Sequence, residues 1–234
     1  VALDAVYTIR DGYIFNDTIV VYEFINENSF LKNGFEYELV VINLITGNRV
    51  SSRTELVESF SFGGMDDKFS FYKPFNPDTT KFTFENVKWT KAENATIYQL
   101  VVRINYTENN DTLYLDWVQP LEDEDATILE GKKFFSFLEA NSIEGKQLEV
   151  TNPDLIRRFQ KVDLFLTAGT SDLHNYIQVN EPITGIVQQR PEFTNINNGI
   201  GLFTSRYSLE KIGILELSED TKDYIIENLN LNFQ

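Results

Sequence analysis

A chain of 234 residues with no cysteine and a single histidine excludes disulfides and thiol nucleophiles and leaves zinc without its usual ligand set. Its 36 acidic residues against 20 basic ones give a net charge of −16, and no basic run exceeds Lys132-Lys133 or Arg157-Arg158, so the footprint of a nucleic-acid binder is absent. Hydrophobic residues make up 42% and no apolar run approaches the ~20 residues of a membrane-spanning helix, so the composition is that of a globular chain able to bury roughly 70–75% of its surface.

The first residue is Val1, with no Met and no signal peptide, as expected of a mature or trimmed product. The 19 Phe and 11 Tyr favour pleated, half-buried surfaces over helix bundles. Thr18 to Phe24 reads as the first strand. "LKNGFEY" then places Leu31 six residues before Tyr37, the spacing of the corner that enters a late strand in immunoglobulin-like and fibronectin type III sandwiches. Phe35 to Leu44 and Arg49 to Val57 alternate as strands, and Thr46-Gly47-Asn48 between them predicts a hairpin turn. "KPFNPDTTK", from Lys73 to Lys81, collects two prolines with Asn and Asp and is the expected boundary between two strand-rich blocks, 1–73 and 74–234.

The second block opens with Phe82 to Thr90 as a strand. Ile97 to Tyr106 follows in period two, with Tyr98, Leu100, Val102, Ile104 and Tyr106 on one face and Gln99, Arg103 and Asn105 on the other. Trp89 precedes Tyr98 by nine residues, as a core Trp does in the early strands of a fibronectin type III domain. Phe134, Phe135 and Leu138 predict a helix over Lys132 to Ile143. Lys161 to Thr167 is another strand. Ser171 is read as the cap of a helix carrying Leu173, Tyr176 and Ile177, and Ser218 as the cap of a last helix through Tyr224, Ile225 and Leu229. The expectation is an all-β protein with a few short helices, built as two immunoglobulin- or fibronectin type III-like β-sandwiches.

Several phrases in chain order resemble one group. "YELVVINLITGNRVSSRTELV", "VKWTKAENATIYQLVVRINYTE", "YIQVNEP", "TNINNGIGLFTSR" and the ending "LNLNF" are similar to the Bacteroidota outer-membrane lipoproteins of domain-of-unknown-function family 4249. The resemblance runs from Tyr37 to the end of the chain and departs at the front, where such proteins carry an exported leader, an anchoring Cys and a longer first domain. It implies a two-part β-sandwich lipoprotein, held at the outer membrane by an N-terminal lipid anchor that this chain lacks, and often encoded beside TonB-dependent transporters. The implied partner is an outer-membrane protein complex. The resemblance supplies no active-site residue.

The residues themselves offer little chemistry. In "RPEFTNINNGIGLFTSR", Gly199-Ile200-Gly201 is followed by Leu202, Phe203 and Thr204, so the third glycine of a dinucleotide loop is missing and no P-loop Lys-Ser/Thr follows. Phe193, Ile196, Ile200, Leu202 and Phe203 read as a strand-like run, with the glycines allowing a bulge or close backbone packing. Any Ser-His-Asp arrangement must use His174, yet no nucleophile elbow accompanies it. Glu122, Asp123, Glu124 and Asp125 form one acidic loop. Such a loop suits a hard cation such as Ca2+ better than acid–base catalysis, though the spacing of a calcium-binding EF-hand is absent. Tyr106, Tyr114 and Trp117 in "NYTENNDTLYLDW" form the candidate sugar platform; the alternative is a hairpin that packs these rings in the core. Asn-x-Ser/Thr triplets start at Asn16, Asn94, Asn105 and Asn110. Thr18, Thr79 and Thr112 sit in Asp-Thr-apolar triplets of the kind O-glycosylated in exported proteins of that phylum. Three functions stay open at this point: a non-catalytic envelope module serving an outer-membrane transporter, a carbohydrate-binding or adhesion module, and a carboxylate-dependent hydrolase. The first is the expected one, with no enzymatic activity and no cofactor.

Overall fold

The structure is a computed structural model and describes residues 2–10, 17–24, 31–75, 81–152, 154–180 and 192–234. It divides into two compact units, residues 1–35 and 36–234. In the first, β1 (Asp4–Arg10) pairs antiparallel with β2 (Asp17–Glu23), with Asp4 opposite Glu23 and Thr18 opposite Ile9.

The second unit begins with a hairpin of β3 (Glu36–Ile42) and β4 (Arg49–Glu55), in register from Glu36 opposite Glu55 to Ile42 opposite Arg49. Gly47 closes its turn at φ 75°, a left-handed conformation that a β-branched residue would resist. Short β5 (Lys68–Phe69) and β6 (Phe84–Lys88) follow, then the long hairpin of β7 (Ile97–Glu108) and β8 (Asp111–Glu122). Asn109, at φ 54°, turns that hairpin. Next come β9 (Ala126–Glu130), α1 (Gly131–Ala140), β10 (Arg157–Gly169), α2 (Ser171–Asn180), β11 (Arg206–Leu217) and α3 (Glu219–Asn228). The chain is mostly β with three short helices among the described residues, as the composition predicts.

Five strands form the main sheet in the order β5-β11-β10-β7-β8. All its pairs are antiparallel except β5 with β11. The alternation expected on β7 is observed: Tyr98, Leu100, Val102, Ile104 and Tyr106 are buried, and Gln99, Arg103 and Asn105 face the other side, half-buried. From β8 the buried face receives Leu115 and Trp117, and from β10 Val162, Leu164 and Leu166. Helix α1 packs here because Phe134, Phe135 and Leu138 recur at helical spacing. Phe134 stacks on Phe71 with ring centroids 4.4 Å apart, and Phe135 meets Tyr224 of α3 at 4.6 Å.

The core runs from Val57 to Phe233 as one cluster, so residues on both sides of the expected boundary at Lys73 share it. Tyr72 bridges Phe82, and the Lys73 N–H donates to Lys81 O at 2.9 Å. The division seen at residue 35 therefore does not coincide with the one expected at residue 73. Two expectations about local structure are corrected. Residues around Phe193 to Phe203 form hydrogen-bonded turns rather than a strand, with a bridge only from Asn197 to Ser51. Thr170, not Ser171, takes the cap position of α2, since its carbonyl accepts the His174 N–H at 3.1 Å. Ser218 does cap α3, accepting from the Thr221 N–H.

Arg157 fastens the C-terminal segment to the start of β10. It is 1% exposed, and its guanidinium meets the Glu108 carboxylate at 2.8 Å and the carbonyls of Leu148, Leu231 and Glu149 at 3.0 Å. Its backbone joins the same segment: the Arg157 N–H donates to Asn232 O, and the Gln234 N–H to Arg157 O.

Candidate functional site

The face of the main sheet opposite the core carries the most organised set of polar and aromatic side chains outside it. The two-residue turn at Asn109-Asn110 sets the β7–β8 register and so places Arg103 opposite Asp116. The pairing is bidentate, with Arg103 Nε 2.7 Å from Asp116 Oδ1 and Nη2 2.8 Å from Oδ2. The guanidinium also lies over two rings, 3.8 Å from the Tyr114 centroid and 4.7 Å from that of Phe165. The Asp116 hydrogen bond holds the Arg103 pKa above its ordinary value, against a smaller opposing effect of burial.

Asp163, on β10 opposite Arg103, is buried to 8% exposure and is fully engaged. Its Oδ2 accepts from Asn105 Nδ2 at 2.7 Å, and its Oδ1 from the Gly213 N–H at 2.8 Å. The second bond depends on the irregular register of β11, where Gly213 adopts φ 73°. Lys161 pairs with Glu216, which keeps the Glu216 carboxyl below its ordinary pKa. Around these paired charges Tyr114, Val118, Ile212 and Ile214 are about half exposed. The arrangement is an amphipathic face whose half-buried and buried charges, Arg103, Asp116 and Asp163, are already matched.

A separate cleft of about 340 Å³ opens between the β3–β4 hairpin, the turn at Asn94 and the first turn of α2. Three of its charged groups are committed locally: Arg53 reaches Glu36 at 3.2 Å, and Asp172 accepts from Asn195 Nδ2 at 2.7 Å.

The residues singled out in the sequence separate on inspection. Tyr106 is 0% exposed and Trp117 7% exposed; their rings pack on Phe233 and on Phe134 and Phe137, so neither offers a sugar platform. Tyr114 alone of the three keeps an exposed ring, with Arg103 against one face. Trp117 and Tyr114 are three apart on one strand and so point to opposite sides of the sheet. Thr112 is exposed at the start of β8, opposite Thr107. Thr18 lies in β2, and Thr79 lies outside the described residues, as does Asn16. The Asn94 and Asn105 amides donate to Leu56 O and to Asp163, while Asn110 is exposed in the turn.

Glu122 of the acidic loop accepts from Thr127 Oγ1, and among the described residues no three Asp, Glu, His or Cys side chains converge on a cation position. His174 is half-buried on α2, and the neighbouring Asp172 bonds Asn195 instead of serving it. Gly199 and Gly201 lie in the turns before β11, with no helix after them to face a phosphate. No described helix is long and apolar enough to cross a membrane. Comparison with protein-family models, with curated proteins and with solved structures returns no match.

Sequence reasoning missed the Arg103–Asp116 pair and its aromatic surround. The signal was present in "RINYTENNDTLYLD": a two-residue turn at Asn109-Asn110 makes Glu108 face Asp111, and counting back sets Arg103 against Asp116.

Proposed function

We propose that the protein is a non-catalytic binding module of the cell envelope that docks a partner protein on the open face of its five-stranded sheet. The observation that carries this reading is the Arg103 platform. Arg and Tyr are enriched among the residues that dominate interface energetics, set within an apolar centre. Covering a charged surface usually strands a charge, at a cost of several kcal/mol. Here Arg103 is already bidentate with Asp116, and Asp163 already holds two donors, so a largely apolar partner surface strands neither.

The partner we propose is an outer-membrane protein, of the TonB-dependent transporter type or another barrel complex, with the chain held at that membrane by an N-terminal lipid anchor. The phrases resembling the family 4249 lipoproteins support this part. The expected pair of immunoglobulin- or fibronectin type III-like sandwiches stays a proposal beside it. What supports a sandwich is that the main sheet shares one core with the β6–β9 pair, through Val87 and Leu129.

The test is co-purification from detergent-solubilised host membranes, comparing the tagged wild-type protein with a Val118→Asp/Ile212→Asp double variant. Both positions are about half exposed, so the variant is expected to fold. A barrel protein recovered in fixed ratio with the wild type and lost with the variant supports the reading. A lone wild-type chain, or a partner retained equally by both, rejects it.

A further inference from the structure

Two neighbouring turns hold aliphatic side chains out in water by construction. At the tip of the β3–β4 hairpin Leu44 is 94% exposed and Ile45 96% exposed. This tip is tied at several points. Asn43 Oδ1 accepts from the N–H groups of Ile45 at 2.9 Å and Thr46 at 3.0 Å. The Asn43 N–H donates to Asn48 O, the Gly47 N–H to Asn43 O, and the Asn48 N–H to Thr46 Oγ1. Just below the tip, Val41 and Ile42 are each more than half exposed.

The second turn carries Ile200, which is 84% exposed. It is organised by Thr194, whose Oγ1 accepts from the N–H groups of Gly201 at 3.0 Å and Ile196 at 3.1 Å and donates to Gly201 O at 2.9 Å. This turn lies against the hairpin. Asn197 and Ser51 exchange backbone hydrogen bonds, and a Cβ on Gly199 would stand 3.1 Å from Val50, which is paired with Val41. The two turns are therefore neighbours within the unit, and both hold aliphatic side chains in water. From Val40 to Asn48 there is no charged residue, in a chain of net charge −16.

We propose that this end of the protein inserts into the interfacial layer of a lipid bilayer, with Leu44, Ile45 and Ile200 as the inserting side chains. Three features select a bilayer. The side chains project from convex turns, which suits a fluid boundary that closes around them. The run from Val40 to Asn48 carries no ionised group into a medium of low polarity. The hairpin's turn also satisfies the backbone N–H groups of Asn43, Ile45, Thr46, Gly47 and Asn48 internally, so leaving water strips none of these five N–H groups of a partner. Attachment is hydrophobic rather than electrostatic, because an anionic surface repels a chain of this charge. The inference is independent of the sheet-face reading: the hairpin tip and the Arg103 platform share no residue.

The experiment is co-sedimentation of the purified chain with phosphatidylcholine vesicles, alone and with increasing phosphatidylglycerol. The wild type is expected to pellet with phosphatidylcholine vesicles. Leu44→Ser/Ile45→Ser is expected to lower the partition coefficient about tenfold or more, and Ile200→Ser by a smaller factor. Phosphatidylglycerol is expected to weaken binding at low salt, and added salt to restore it. All three positions are exposed, and an unchanged melting temperature confirms that the variants fold. A wild type that stays in solution with every vesicle, or a double variant that pellets like the wild type, overturns the proposal. A photo-crosslinker at position 45 separates the alternatives: lipid adducts support insertion, and a discrete protein adduct without vesicle binding assigns the tip to a protein groove instead.

Discussion

Glu85 is a carboxylate placed where ionisation is unfavourable. Burial pushes its pKa above the ordinary value of 4.5, and the Ser70 N–H, donated to Oε1 at 2.7 Å, only partly offsets this. The folded state therefore binds this proton more tightly than the unfolded chain does. Its contribution to stability is complete below the unfolded pKa and is lost as pH rises through the folded one. Glu85→Gln keeps an oxygen for Ser70 and removes the ionisation. Melting curves at pH 4 and pH 7 should show a smaller loss for the variant than for the wild type over that interval. Equal losses would mean that the carboxyl titrates as it does in the unfolded chain. At this scale the sequence was partly legible. Tyr106 shares the parity of Tyr98, Leu100, Val102 and Ile104, so the alternation that assigned those four to the core assigned Tyr106 there too. Reading Tyr106 and Trp117 as a ligand platform counted aromatic rings without asking which face each one occupied.

Elements are joined here by close backbone approach as much as by side-chain packing, and α1 shows how. Gly131 opens the helix beside two carbonyls: a Cβ there would stand 2.3 Å from Phe71 O and 2.8 Å from Thr83 O. The Gly131 N–H itself donates to Thr83 O at 2.8 Å, so the helix cannot move away without losing that bond. Gly131→Ala adds helix propensity of up to about 1 kcal/mol but forces a backbone shift costing about 1–3 kcal/mol. The second effect dominates, and urea denaturation should give a lower midpoint for the variant. An unchanged or higher midpoint would show that the Phe71 and Thr83 segments yield freely. Long, strictly alternating β7 was legible from its own residues. The loop from Phe193 to Phe203 was not. Its apolar residues resemble a strand, but Thr194 and Asn195 take over its backbone hydrogen bonds, and side-chain capture of that kind leaves no mark in hydrophobic periodicity.

For the whole molecule the core decides what is essential. Among the described residues, every buried member of the cluster lies between Val57 and Phe233, within the second unit. A chain of residues 36–234 should melt cooperatively within a few degrees of the full chain, and loss of a cooperative transition would show that the first unit is needed for folding. Pro, Asn and Asp mark any exposed turn, so the composition from Lys73 to Lys81 does not by itself tell a boundary from a turn. The bridge between Tyr72 and Phe82 depends on tertiary structure and leaves no mark in the sequence. The clasp at Arg157 has a further consequence. Its partners come from Leu148, Glu149 and Leu231, while β5 needs β11 at the edge of the main sheet. A nascent chain that has emerged only as far as α2 has neither β11 nor Phe233 and cannot close its core. Such a chain completes its structure only when its last residues join the rest, so truncation after α2 is expected to abolish the cooperative melting transition.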